Sequence, residues 1–143
     1  MSAGTLYGSH PGAHDRRAYR ASRRCVAFLR LNTEPGTAPS RRQLRSAVRA
    51  WRPLLRREDD IALIAGDVFV SLSGCLSTDA TFLIRRFQLS TSDTRWSAGI
   101  AIWDHEEPEN ELLQRALDAA TRAYASPGSI VMAAASVSRP AMA

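Results

Sequence analysis

The side chains most able to do chemistry are few and scattered. His10, His14 and His105 lie in loop-like segments far apart in sequence, without metal-ligand spacing, and read as exposed polar residues. Cys25 and Cys75 are the only cysteines and form no C-x-x-C pair. Both read as buried thiols in a reducing compartment, so cytoplasmic localisation is expected. Ser97 has no His or Asp at useful spacing to activate its hydroxyl as a nucleophile. All 19 basic residues are arginine, which excludes chemistry that needs a lysine amine; a G+C-rich coding sequence suffices to explain that usage. Against 14 acidic residues the net charge is +5 and the pI about 10.2. That balance permits an anionic partner without requiring one.

Side chains act only where elements hold them. At 143 residues the chain reads as one domain with one core. No apolar stretch approaches the ~20 residues that span a bilayer, so no membrane insertion is expected, and no secretory signal is seen. Residues 1–24 and 134–143 read as disordered tails, the first Arg-rich and able to serve as a linker or an anion-binding arm. Between them lies a domain over 25–133. Cys25 to Leu31 predicts a buried strand, and Asn32 to Pro39 a loop. Ser40 caps a helix to about Arg56, with Leu44, Ala47, Val48, Trp51, Leu54 and Leu55 inward and an arginine face outward. Pro53 should kink or shorten it.

The apolar runs Ile61 to Ala65 and Val68 to Leu72 flank Gly66-Asp67, which is good turn chemistry, and predict a β-hairpin. Thr78 or Asp79 caps a helix to about Gln88. Trp96 to Trp103 is a strand weakened or bent at Gly99. An acidic loop, Asp104 to Glu111, precedes a helix carrying Leu112, Leu113, Ala116, Ala119, Ala120 and Ala123 inward. Its Glu106, Glu107, Glu109 and Glu111 neutralise a helix N-terminus or dock an arginine face of another copy. Pro127-Gly128 ends that helix, and Ser129 to Ala133 can add a last strand. Trp51, Trp96 and Trp103 read as core or interface. The order β-α-β-β-α-β-α-β predicts an α+β fold with a ferredoxin-like, palm-type mixed sheet, a central hairpin and flanking helices.

The stretch Arg56-Arg-Glu-Asp-Asp-Ile-Ala-Leu-Ile-Ala-Gly-Asp-Val-Phe-Val-Ser-Leu72 resembles the signature region of GGDEF (diguanylate cyclase) domains. The signature itself becomes Ala65, Gly66, Asp67, Val68 and Phe69. Trp96-Ser-Ala-Gly-Ile-Ala101 is similar to the family's S-x-G-x-A strand, and Leu112-Leu-Gln-Arg-Ala116 to the start of its final helix. The resemblance covers about residues 25 to 131. It implies a cyclase of two GTP molecules, acting as a head-to-head dimer with two metal ions per half-site. The departures imply a degenerate, inactive domain. Arg30 stands where the family's first metal Asp belongs, and Asn32 at the second Asp. A cation in that seat repels Mg²⁺. Ala65 replaces a signature glycine, Val68 the glutamate and Leu63 a preceding Arg. Leu117, Thr121 and Tyr124 replace the family's Asp, Tyr and phosphate-binding Lys. Asp67 alone is left as a metal carboxylate, so no metal or other cofactor is expected.

The family's inhibitory site for cyclic di-GMP has the motif RxxD, which Arg56 and Asp59 match; Asp59 lies six positions before Ala65. In such a site Arg forks onto guanine O6 and N7 or a phosphate, and Asp accepts from guanine N1 and N2. Arg85 or Arg86 could add a further guanidinium. The alternative for Arg56 and Asp59 is an exposed ion pair worth about 0–1 kcal/mol. The expected function is therefore an inactive regulatory domain. It either receives cyclic di-GMP through Arg56, Asp59, Arg85 and Arg86, or acts as a protein-interaction or dimerisation scaffold. Anion or nucleic-acid binding through the arginine surface is a further alternative, with nucleic acid the less favoured partner.

Overall fold

The computed structural model describes residues 23–135. The expectations placed on residues 1–22 and 136–143 lie outside the described residues. The first strand, β1 (Arg24–Leu31), is buried along nearly its whole length, as its apolar run requires. It is the middle strand of five. β2 (Asp60–Ile64) and β3 (Asp67–Ser73) form the hairpin, β4 is Trp96–Ile102 and β5 is Ile130–Met132, in the order β2-β3-β1-β4-β5. β1 runs antiparallel to both β3 and β4, and β5 is parallel to β4. This is the expected mixed α+β sheet.

Alternation along the strands builds two cores. Cys25, Ala27, Leu29, Val68, Val70, Leu72 and Ile100 face helices α1 (Arg41–Trp51) and α2 (Ser77–Ser90). Val26, Phe28 and Ala101 face α3 (Glu109–Ala123), against Leu112, Ala116 and Ala120. In the first core Trp51 stacks on Phe87 with ring centroids 4.8 Å apart and meets Trp96 edge-on. Its indole N–H donates to the Phe87 carbonyl at 2.9 Å, so its one polar atom is satisfied. Cys25 and Cys75 are buried free thiols. The Cys25 thiol donates to the Cys75 carbonyl at 3.3 Å, and the neighbouring Cys75 side chain and burial push the Cys25 thiol up.

Ser40 caps α1 as expected: its hydroxyl accepts from the Gln43 N–H, and the Gln43 side chain accepts from the Ser40 N–H. The helix stops at Trp51 and tightens into a 3-10 turn, Arg52–Leu54, because Pro53 has no N–H to continue the ladder. Two sequence expectations need correction here. Neither Thr78 nor Asp79 is the cap of α2; Leu76 holds that position, and Asp79 reaches back to its N–H at 3.4 Å. α3 begins at Glu109, so Glu109 and Glu111 are first-turn residues, not loop residues. Pro108 starts the helix, and acidic side chains suit its positive end.

The hairpin turn also differs from expectation. The two loop residues are Ala65 and Gly66, with φ of 50° and 85°, and Asp67 is the first residue of β3. Two successive positive φ values define the tight turn whose twist matches the paired strands. Gly66 tolerates this; Ala65 holds its Cβ in the left-handed region at a cost of roughly 1–2 kcal/mol. Ala65→Asn is therefore expected to raise stability by roughly 0.5–1 kcal/mol, read as a higher urea midpoint at unchanged slope. An unchanged or lower midpoint would show that the turn carries no such strain.

Candidate functional site

The hairpin turn, the end of β1 and the last turn of α3 meet at one end of the sheet. Leu29 pairs with Val68, which sets Arg30 opposite Asp67 across two strands. The guanidinium forks onto the carboxylate, Nε to Oδ1 and Nη2 to Oδ2, both at 3.0 Å. The Asp67 side chain is only 7 % exposed, that of Arg30 30 %. Arg30 is held above its usual pKa by these bonds. Its Nη1 lies 3.5 Å from the Thr121 hydroxyl, and its guanidinium carbon 5.8 Å from the Tyr124 ring centre. Asp67 is thus no turn residue: its carboxylate is committed to an internal cation.

The rest of this end is knitted into the fold. The Asn32 side-chain oxygen accepts from the Ser97 hydroxyl at 2.7 Å and the Gly128 N–H at 3.3 Å, while its amide donates to the Tyr124 carbonyl. Thr33 donates its N–H to the Tyr124 hydroxyl at 3.3 Å. Hydrogen bonding from Thr33 lowers the Tyr124 phenol below its usual pKa, and the Arg30 charge acts in the same direction. Val68 is fully buried, and Phe69 packs against Phe28 with centroids 5.2 Å apart. Beside Tyr124 opens a cleft of about 720 Å³ that includes Glu34, Asp93 and Arg95. Two carboxylates against one guanidinium make a poor cradle for a triphosphate.

The metals implied by the resemblance do not fit these residues. The seat of one carboxylate is filled by Arg30, and both oxygens of the other are taken. Among the described residues no group of three His, Cys, Asp or Glu side chains could hold an ion.

The second predicted site lies at the far end of β3. Arg56 and Asp59 are brought together, but as a structural unit rather than an exposed pair. Asp59 accepts from the Arg56 backbone N–H at 2.9 Å, from Nε at 3.1 Å and Nη2 at 3.0 Å, and from the Ser73 N–H at 3.2 Å. The same Nη2 also donates to the Ser73 carbonyl. The Asp59 side chain is 2 % exposed and that of Arg56 49 %. Hydrogen bonding to Asp59 raises the Arg56 pKa. Arg85 and Arg86 are exposed on α2 and line a different surface, with Phe82, Leu89, Ile102 and Met132; neither makes a hydrogen bond or ion pair with Arg56 or Asp59.

Sequence reasoning treated Arg30 as an obstacle and missed it as the partner of Asp67. The signal was the strand register, which the sequence does not state. It also missed the Glu107–Arg115 fork, in which Arg115 donates Nε to Oε2 at 3.0 Å and Nη2 to Oε1 at 2.5 Å, with Glu107 1 % exposed.

This arrangement of sheet, hairpin and helices is the fold of GGDEF domains. The chain is similar to the GGDEF domain of TpbB (YfiN) from Pseudomonas aeruginosa at 24 % identity, TM-score 0.67, covering 85 % of this chain and 82 % of that one. It is also similar to the active GGEEF domain of a diguanylate cyclase from Vibrio cholerae, at 10 % identity and TM-score 0.68, covering 87 % and 92 %. A third likeness is to the GGDEF domain of DgcB from Caulobacter crescentus in complex with c-di-GMP, at 11 % identity and TM-score 0.66, covering 85 % and 84 %. No protein-family model and no curated protein matches the sequence. Among the described residues no helix is long and apolar enough to cross a membrane.

Proposed function

We propose that this chain is a GGDEF-fold domain that does not make cyclic di-GMP and acts as a regulatory interaction module. The observation that carries this is the Arg30–Asp67 fork. A guanidinium supplies the positive charge the carboxylate needs, but it has no open coordination position to hold triphosphate oxygens or activate an attacking hydroxyl as a metal ion does. The domain keeps the scaffold and spends the metal pole on stability. With GTP and either Mg²⁺ or Mn²⁺, the purified chain is expected to form no cyclic di-GMP above background by chromatography. Turnover by the chain that is lost in an Asp67→Asn variant would sink this reading.

A second reading, a receptor for cyclic di-GMP, is favoured by one feature: Arg56 is half exposed and held in place by Asp59. Because Asp59 already accepts four donors, the ligand contact would fall to Arg56, with Arg85 or Arg86 added only if the ligand bridges both surfaces. Calorimetric titration of cyclic di-GMP into the chain and into Arg56→Ala separates the two. Saturable micromolar binding lost in the variant makes the domain a receptor. No heat leaves the interaction module.

A further inference from the structure

The positive charge is concentrated. From residue 35 to residue 57 the chain holds seven arginines (Arg41, Arg42, Arg45, Arg49, Arg52, Arg56 and Arg57) and no acidic residue. Arg41, Arg45, Arg49 and Arg52 follow helical spacing along one exposed side of α1 and its terminal turn. None of these four makes an ion pair among the described residues. Like charges left together this way cost stability, and an anionic partner would relieve that cost.

Beside this row runs an open sheet edge. β2 pairs only with β3, so its other side presents unpaired backbone N–H and C=O groups. Edge strands are commonly blunted by a proline or a bulge; β2 has no proline, and its register with β3 runs without a bulge. Between the row and the edge lies a groove of about 460 Å³. Its lining includes Arg45, Arg49, Arg52, Val48, Ile61 and Leu63.

We propose that this groove takes an extended acidic peptide from a partner protein, added as a strand along β2 with its carboxylates on the arginine row. The open edge asks for a peptide backbone, which nucleic acid lacks. The floor is aliphatic, and no aromatic side chain lines the groove for a base to stack on. Alternate residues of a strand lie about 6.8 Å apart, close to the ~6 Å between helix positions four apart, so successive carboxylates meet successive arginines. The acidic segment of a second copy is a poor occupant: Glu107 is taken by Arg115 and Glu109 by Arg24. This inference deepens the interaction-module reading by naming the partner's chemistry. Its test is a binding measurement, so its failure would leave the cyclase result untouched.

The test uses fluorescence anisotropy with a labelled (Glu-Val)4 peptide, a labelled (Glu-Pro)4 peptide of equal charge, and labelled octathymidylate, at low ionic strength. Saturable binding of (Glu-Val)4, at least tenfold tighter than (Glu-Pro)4, is expected, because proline removes the N–H groups that pair with the edge. Arg45→Glu/Arg49→Glu should weaken it at least tenfold. Arg95→Glu/Arg122→Glu makes the same charge change away from the groove and should weaken it less than threefold. All four side chains are exposed, so each variant is expected to fold, with circular dichroism as the check. Equal binding of the two peptides, tighter binding of octathymidylate, equal loss in both double variants, or no binding of (Glu-Val)4 would each overturn the proposal.

Discussion

Gly99→Ala is expected to leave little folded protein. Gly99 is in the middle of β4, and α3 lies directly on it. A Cβ built there would stand 2.1 Å from the Ala120 backbone nitrogen and 2.4 Å from the Ala116 carbonyl oxygen. These are backbone atoms of a helix, so no rotamer change relieves the overlap. The helix must lift from the sheet, opening the contact of Ala101, Leu112, Ala116 and Ala120. Overpacking of an ordinary core site costs about 1–3 kcal/mol; displacing a whole helix should exceed ~4 kcal/mol, a large share of the 5–15 kcal/mol typical of a domain. Thermal unfolding by circular dichroism checks this. Gly36→Ala is the control: it meets no atom within 4 Å, so only its φ of +81° opposes the change, at about 1 kcal/mol. If the two variants unfold alike, the close approach of α3 to β4 does not matter to stability.

Arg30→Asp is expected to destabilise the chain and to make its stability depend on divalent cations. The substitution removes the cation that satisfies Asp67 among the described residues and sets a second carboxylate beside it. Breaking a fully buried pair costs about 3–5 kcal/mol; with Arg30 30 % exposed, about 3 kcal/mol is reasonable. Two adjacent carboxylates attract Mn²⁺ or Mg²⁺ at about millimolar strength. The expected result is a melting temperature several degrees below wild type in EDTA, partly restored by millimolar Mn²⁺, with wild type unmoved by the metal. A variant as stable as wild type in EDTA would mean that the fork contributes nothing.

Much of the fold was legible because its signals are local. The buried run at Cys25, the Ser40 cap, the Pro53 stop and the hairpin flanks each need only a few neighbouring residues to be read. Gly99 was read as a weak point of a strand, and it is where the backbone of α3 lies against β4, which depends on residues further along the chain. Asp67 was assigned to a turn because Gly-Asp is common there; the turn fell one residue earlier, and Arg30 across the sheet decided its role. The RxxD spacing was visible, but not that the Ser73 backbone would complete the shell around Asp59. In each miss the deciding partner came from strand register or from a helix packed on the sheet, neither of which sequence spacing carries.

The place of β1 in the sheet bears on how the chain comes to be folded at all. Its first residues pair on one side with the end of β3 and on the other with the end of β4, Cys25 opposite both Leu72 and Ile102. During synthesis this largely buried strand emerges before β3 and β4 and must wait for both partners. At about 5–20 residues per second it waits several seconds with both edges open. The hairpin of β2 and β3 can form without it, by contacts close in sequence. Efficient production therefore depends on β1 staying out of other contacts during that interval. Slower synthesis, or a higher concentration of nascent chains, should lower the soluble yield before any change in the finished protein's stability is measurable.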